Sequence, residues 1–159
     1  MDKFQQSLNQ SIRHLQVADH MTYVTYPLIN EKRLLLKIIE EINASITNCI
    51  NAILEFEFKN KKPTQSSVFK KTEPTATFFK KYFKDYSLTE NHIKKIQEII
   101  EISNRHKESA MEFVRNEKIV ILSNSLGTKI LDIQQVKGYL LIAKELLLKV
   151  NQRMDKITN

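Results

Sequence analysis

Arg13 and His20 stand seven residues apart in the stretch SIRHLQVADHMTYVTYPLIN, residues 11–30. On a helix this spacing turns about 700° and rises about 10.5 Å, so both side chains lie on one face, two turns apart. An arginine can hold a phosphate and a histidine can move a proton. These two actions are the minimum needed to cut RNA by attack of its own 2′-hydroxyl without a metal. The spacing therefore predicts a candidate catalytic pair, Arg13 and His20.

The motif Arg13-HLQVAD-His20, with His14 directly after the arginine, resembles that of the HEPN superfamily. Members of this superfamily are small helical bundles, and some are ribonucleases that carry an Arg followed a few residues later by a His. The resemblance rests on this one motif, which lies here on the first helix and in the family usually on a late one. It implies a metal-independent, toxin-type ribonuclease that uses Arg13 and His20, with a cleft that commonly forms across a dimer.

The same residues also fit ordinary helix packing. In this interpretation Arg13 is a solvated surface residue, and His20 is half-buried and hydrogen-bonded to a neighbour. Asp19, Tyr23 and Tyr26 follow one another at steps of four and three on one helix face. A tyrosine buried at a helix end usually has a hydrogen-bond partner, which Asp19 could supply. We favour packing, and therefore a protein that binds rather than one that turns over a substrate.

Other signatures of catalysis or cofactor binding do not occur in the sequence. The four histidines, at positions 14, 20, 92 and 106, form no pair at a three- or four-residue spacing, and there is no Glu-x-x-His. Gly127 and Gly138 stand alone, so no phosphate-cradling loop is indicated. Cys49 lies in an apolar stretch, where burial raises the pKa of a thiol and disfavours a nucleophilic role. We predict no metal and no cofactor.

The strongest functional signal is a run of lysines and aromatic residues. Between residues 59 and 85, eight lysines stand against Glu73 and Asp85, so this segment carries +6 of the chain's net charge of +7. Concentrated positive charge attracts phosphates and other anions. Lysine pairs alternate with aromatic pairs in residues 66–86. The candidate residues for binding nucleic acid or a partner are Lys70, Lys71, Phe78, Phe79, Lys80, Lys81, Tyr82 and Lys84.

Three interpretations of this segment remain open. The aromatic residues can dock on the rest of the protein and leave the lysines as a solvated rim. They can instead stack on the bases of single-stranded RNA while the lysines neutralise phosphates, with little sequence preference. A short amphipathic helix could also lie on an anionic membrane. We predict association with RNA or an acidic protein partner, and a structural or antitoxin-like protein-interaction module is a further alternative.

The elements that position these residues are predicted to be helices. The 159 residues contain only two Gly and three Pro among many helix formers, which is typical of one all-α domain. Apolar residues at alternating steps of four and three predict two long helices, through residues 35–56 and 136–157. Pro27 is predicted to end the first helix near Thr25, and Asn30 to cap the second. Ser87 and Glu90 are predicted to form the capping box of the third helix.

A β-hairpin is predicted in EKIVILSNSLGTKILD, residues 117–132, where β-branched residues flank a turn that contains a glycine. Asp132 and Gln135 then form the predicted capping box of the last helix. The predicted architecture is an antiparallel four-helix bundle with a small hairpin between the third and fourth helices. Residues 1–159 form one domain in this prediction, with a basic connection at about 59–86.

The setting of the protein is predicted from what the sequence lacks. No run approaches the roughly 18 apolar residues of a membrane-spanning helix, and the first residues have no apolar signal core. The single cysteine fits a reducing compartment. We therefore predict a cytoplasmic protein without a membrane span. Its wide apolar helix faces would also allow a homodimer.

Overall fold

The computed structural model describes residues 2–60, 81–109, 111–123 and 127–158. Within these ranges the elements are α1 (Lys3–His20), α2 (Tyr26–Ile29), α3 (Leu34–Lys59), α4 (Glu90–Lys107), β1 (Met111–Arg115), β2 (Lys118–Ser123), β3 (Gly127–Leu131) and α5 (Ile133–Thr158). A π-helical turn, Met21–Thr25, joins α1 to α2. The chain is thus mainly helical with a small antiparallel sheet, as the sequence predicted.

Helix α3 lies at the centre of the hydrophobic core. Helices α1, α4 and α5 all contact it. Its predicted apolar ladder is at most 1% exposed at every position: Leu35, Ile39, Ile42, Ile46, Cys49, Ile53 and Phe56. Complete burial of a large aliphatic or aromatic side chain of this kind stabilises the fold by about 1.5–3 kcal/mol. The alternating four- and three-residue spacing therefore predicted the buried face of this helix correctly.

Small side chains bring α1 close to α3. The Ser11 hydroxyl donates to the Ser45 carbonyl oxygen at 2.7 Å, and the Ser45 hydroxyl donates to the Ser11 carbonyl oxygen at 2.9 Å. Ala18 is fully buried further along α1. Ser7 bonds to Glu55, so positions that increase along α1 meet positions that decrease along α3. The two helices are therefore antiparallel, and two polar side chains lie inside their contact.

Pro27 does not end the first helical run, so that prediction was wrong. The proline is the second residue of α2, directly after the π-helical turn. In that turn the Tyr26 N–H donates to the Met21 carbonyl. The wider turn moves the preceding carbonyls away from the proline ring, which would clash with them in a regular α-helix. The run ends instead at Asn30, whose φ of 55° is left-handed, so Asn30 closes α2 and does not cap α3.

The helix-start predictions had different outcomes for α4 and α5. The N-cap of α4 is Thr89, whose hydroxyl accepts the His92 N–H at 3.3 Å, rather than the predicted Ser87. Ser87 instead has a left-handed φ of 57° and belongs to the preceding turn. The capping box predicted for α5 is confirmed. The Gln135 N–H donates to Asp132 Oδ1 at 2.8 Å, and the Asp132 N–H donates to Gln135 Oε1 at 3.0 Å.

The predicted hairpin, β2 with β3, is part of a sheet of three strands. Strand β2 lies between β1 and β3 and is antiparallel to both. Strand β1, which was not predicted, joins β2 through Asn116 and Glu117, both at positive φ, as a tight hairpin turn requires. Ile119, Ile121 and Leu131 point from one face of the sheet into the core. This face attaches the sheet to the helices.

Candidate nucleic-acid interface

The described part of the lysine and aromatic segment, residues 81–87, is a turn that leads into α4. The Asp85 N–H donates to the Tyr82 carbonyl at 3.0 Å, and the Ser87 N–H donates to the Lys84 carbonyl at 3.1 Å. Lys81 and Lys84 are exposed. Tyr82 is only 8% exposed, so its ring is not available to stack on a base. The other candidates lie outside the described residues: Lys70, Lys71, Phe78, Phe79 and Lys80.

Tyr86 holds this turn against the ends of two long helices. Its ring is 1% exposed, and its hydroxyl donates to Glu57 Oε1 at 2.8 Å. Arg153, on α5, donates from Nε to the same oxygen at 3.1 Å, and its guanidinium lies 5.0 Å from the Tyr86 ring centroid. Arg153 also donates from Nη1 to the Asp85 carbonyl at 3.3 Å. A buried carboxylate needs such partners, so Glu57 fixes both Tyr86 and Arg153 in place.

The electrostatics of this cluster keep Tyr86 neutral. Burial, and then the adjacent Glu57 carboxylate, raise the pKa of Tyr86 well above its ordinary value. The phenol therefore keeps its proton and acts as a hydrogen-bond donor. Burial alone would lower the pKa of Arg153, but the hydrogen bond and attraction to Glu57 raise it. The cluster thus contains one carboxylate and one guanidinium that neutralise each other, and its role is to hold the turn.

A cleft of about 170 Å³ opens beside this cluster. Its lining residues are Asp85, Tyr86, Ser87, Lys149, Gln152, Arg153 and Lys156. Lys149 donates from Nζ to the Ser87 carbonyl at 2.8 Å, and Lys156 is exposed. We call this cleft, together with the exposed Lys81 and Lys84 on the same turn, the basic cleft. It combines four lysines with open solvent access, an arrangement that suits a phosphate backbone.

Sequence reasoning found only one side of the basic cleft. It identified Lys81 and Lys84 but not Lys149, Arg153 and Lys156, which lie on α5. Their spacings of four and three place these three cations on one helix face, and that pattern could have been recognised. Their approach to residues 85–87 could not, because it depends on how α5 packs at the end of α3.

The candidate catalytic pair lies elsewhere, on α1. Arg13 and His20 are both exposed and both belong to this one helix, as the seven-residue spacing requires. The prediction that His20 is half-buried was wrong. His14 instead contacts α3, with its Nδ1 2.6 Å from Glu41 Oε2. Burial alone would raise the pKa of Glu41, but the hydrogen bonds to His14 and Lys37 hold it below its ordinary value.

Asp19 does not serve the tyrosines as suggested by the sequence. Its carboxylate accepts from Lys144 Nζ at 2.5 Å and so links α1 to α5. Tyr23 is 52% exposed, and Lys144 lies 5.6 Å from its ring centroid. Tyr26 is buried, with Lys32 over its ring at 5.4 Å. The polar network therefore consists of lysines on aromatic rings rather than of Asp19 with two phenols.

Cys49 is the free thiol of α3, and it is fully enclosed. Burial raises its pKa to about 12, against a smaller opposing effect of the hydrogen bond with Ser11. This agrees with the prediction that burial raises the thiol pKa. Among the described residues, no three His, Cys, Asp or Glu side chains converge in a way that could hold a metal ion. In the same residues, no helix is both long enough and apolar enough to cross a membrane.

Comparison with models of protein families, with characterised proteins and with solved structures finds no match for this chain. The resemblance to the HEPN superfamily therefore stays a prediction from one sequence motif.

Proposed function

We propose that the protein binds single-stranded RNA without cleaving it, through the basic cleft. The observation that carries this proposal is that Lys149 and Lys156 line one open cleft beside the turn that carries the exposed Lys81 and Lys84, at the base of the lysine-rich segment. The lysines before residue 81 continue the positive charge along the chain. Lysine is a compact charge that contacts phosphates without reading bases, so the binding should tolerate many sequences.

The expected salt dependence of RNA binding follows from counterion release. Each phosphate that a lysine neutralises contributes about −0.7 to the slope of log K against log salt for a single strand. Removing two lysines should therefore make this slope shallower by about 1.4. Glu57 and Arg153 neutralise each other, so we assign them to holding the turn and not to contacting RNA.

Fluorescence anisotropy of a labelled single-stranded RNA, titrated in EDTA at several salt concentrations, tests the proposal. The variant Lys149→Ala/Lys156→Ala removes two charges from the cleft. Its matched control, Lys37→Ala/Lys107→Ala, removes two exposed lysines from α3 and α4. We expect weaker binding and a shallower salt slope in the first variant only. Equal effects of the two variants would refute the assignment to the cleft. Binding to poly-glutamate but not to RNA would indicate an acidic protein partner instead.

A second candidate function is metal-independent RNA cleavage by Arg13 and His20, favoured by the exposure of both side chains on α1. His20 would take the proton of the 2′-hydroxyl while Arg13 holds the phosphate. The 2′-oxygen would then bond to phosphorus, and the bond to the 5′-oxygen would break as that oxygen takes a proton from protonated His20 or from water. This gives a cyclic phosphate end and a 5′-hydroxyl end.

Following the same RNA over time separates the two functions. If the protein cleaves RNA, His20→Ala should abolish cleavage in EDTA at unchanged affinity, whereas His92→Ala, which alters a histidine at the start of α4, should not. If the protein only binds, the RNA stays intact with every variant. We further propose that α1, α3, α4 and α5 form an up-down bundle. The antiparallel contacts of α1 with α3 support this arrangement.

A further inference from the structure

Two rows of side chains cross the sheet on the face that points away from the core. In the first row Phe113 pairs with Val120, and Val120 pairs with Ile130. In the second row Met111 pairs with Leu122, and Leu122 pairs with Thr128. Side chains alternate between faces along a strand, so both rows lie opposite the core-facing Ile119, Ile121 and Leu131. Five of these six side chains are apolar, and we call Met111, Phe113, Val120, Leu122 and Ile130 the outer sheet face.

The outer sheet face does not belong to the core of the described residues. Val120 is only 6% exposed, yet it is not part of the core cluster, which contains Ile119 and Ile121 on either side of it. It pairs across the sheet with Phe113 and Ile130. Ile130 remains 46% exposed and Met111 59% exposed. A contiguous apolar surface of this kind commonly marks a site of interaction.

Positive charge lies at one end of this face. Arg115 and Lys118 stand directly opposite each other in the register, next to the turn between β1 and β2. Their positions in the alternation place them on the same face as Phe113 and Val120. Like charges that face each other across two strands destabilise a sheet. A carboxylate placed between them would relieve this repulsion.

The acidic residues of these strands and their turn are engaged elsewhere. Glu112 alternates to the opposite face, where its carboxylate lies 2.6 Å from His106 Nδ1. Glu117, in the turn, pairs with Lys32 at 2.5 Å. Asp132, which directly follows β3 and continues its register towards Lys118, caps α5 by accepting the Gln135 N–H at 2.8 Å. In the described strands, therefore, no carboxylate shares the outer face with Arg115 and Lys118. If a second copy of the chain docked through the same face, it would supply apolar side chains but no carboxylate for Arg115 and Lys118.

The dimensions of the face fit one helix. Three strands spaced about 4.8 Å apart span about 10 Å, and strands of five residues are about 17 Å long. An α-helix is about 10 Å wide, and about 11 residues cover 17 Å. Carboxylates are favourable in the first turn of a helix, where they complement the macrodipole. A helix with an apolar stripe and an acidic first turn matches both the width and the charge.

We propose that the outer sheet face binds an amphipathic helix of a partner protein, with the acidic first turn of that helix over Arg115 and Lys118. The apolar rows supply the surface that is buried against the partner helix, and the two cations fix the direction of that helix. This surface is separate from the basic cleft, and the proposal does not depend on RNA binding.

Two synthetic helical peptides of about 11–14 residues, bridged to hold the helix, are suitable probes. Both carry leucines along one face; one has two Glu in its first turn and the other has two Lys there. We expect the acidic peptide to bind at least tenfold more tightly than the basic one, measured by calorimetry with the full chain. Ile130→Asp should weaken binding of the acidic peptide at least tenfold. Leu148→Asp, an equal change at a residue 59% exposed on α5, should not.

Charge reversal gives a second measurement. Arg115→Glu/Lys118→Glu should reverse the preference, so that the basic peptide binds more tightly. Circular dichroism and thermal melting show whether each variant folds. If Ile130→Asp is destabilised, Met111→Asp, at a more exposed position of the same face, replaces it. Absence of peptide binding, equal binding of both peptides, or equal losses in Ile130→Asp and Leu148→Asp would overturn the proposal.

Two other occupants give different results. A dimer in sedimentation equilibrium that Ile130→Asp dissociates would assign the face to a second copy of the chain. Loss of RNA affinity in Ile130→Asp and Arg115→Glu/Lys118→Glu would assign it to nucleic acid. Either result would replace the acidic helix as the partner.

Discussion

Replacing Tyr86 by phenylalanine tests the cluster that holds the turn beside the basic cleft. The substitution removes the hydroxyl that donates to Glu57 at 2.8 Å and leaves the ring in its buried position. A hydrogen bond to a charged group contributes about 1.5–3 kcal/mol to stability. Glu57 keeps its bond from Arg153, so we expect a loss of about 2 kcal/mol. At about 2–4 °C per kcal/mol for a chain of this size, the melting temperature should fall by about 4–8 °C.

Urea denaturation measures this loss as a lower midpoint at an unchanged m value. Tyr23→Phe is the matched control. It removes the same hydroxyl from a side chain that is 52% exposed, and it should change stability by less than about 0.5 kcal/mol. In a Glu57→Gln background the acceptor is neutral, so Tyr86→Phe should lose only about 1 kcal/mol. Equal losses of stability in Tyr86→Phe and Tyr23→Phe would refute the reasoning, because the buried hydrogen bond would then contribute nothing to stability.

Three further predictions concern two buried tyrosines, the thiol of Cys49 and the backbone of Ser87. Burial, and then nearby carboxylates, raise the pKa of Tyr86 and raise that of Tyr139 to about 12, whereas unfolded tyrosines ionise near 10. The unfolded chain therefore loses these protons at a lower pH than the folded chain does, and the free energy of unfolding should fall as the pH rises from about 10 to 12. Urea titrations measure this fall, which should be smaller in Tyr86→Phe/Tyr139→Phe. Cys49 should react slowly with Ellman's reagent at pH about 8 in the native protein and quickly in urea, because burial in the core raises its pKa to about 12. A fast reaction of the native protein would contradict this burial. Ser87→Gly should raise the melting temperature and Ser87→Val lower it, because Ser87 has a left-handed φ of 57° that strains side chains with a Cβ; a lower melting temperature for the glycine variant would contradict this.

Periodicity predicted the helices because it reports burial directly. The ladder from Leu35 to Phe56 repeats at the helical spacing, and each of its members is buried in the core. Local capping chemistry was equally informative at Asp132, where the partner lies three residues away. It was misleading at Ser87, because Thr89 offers a competing cap two residues later. Propensity also failed at Pro27, since the π-helical turn that accommodates the proline leaves no mark in the apolar pattern.

The sites depend on contacts that no local pattern contains. Tyr86, Glu57 and Arg153 lie on three different elements, and their hydrogen bonds join positions 29 and 96 residues apart in the chain. The sequence could indicate a basic segment, but not the helix end that completes its cleft. Strand β1 was missed for a related reason. Its five residues become a strand by pairing with β2, and their own composition does not distinguish them from the end of α4.

The serine pair between α1 and α3 limits how the two helices can be assembled. Ser11 and Ser45 satisfy each other only when they lie directly opposite. If α1 slid by one turn along α3, the two reciprocal hydrogen bonds between the helices would be lost, and each hydroxyl would be left to donate to a carbonyl of its own helix, as Thr22 does to Ala18. Each interhelical hydrogen bond of this kind contributes about 0.5–1.5 kcal/mol to stability. Apolar contacts have no such directional requirement, so these two hydroxyls favour the observed alignment of α1 on α3.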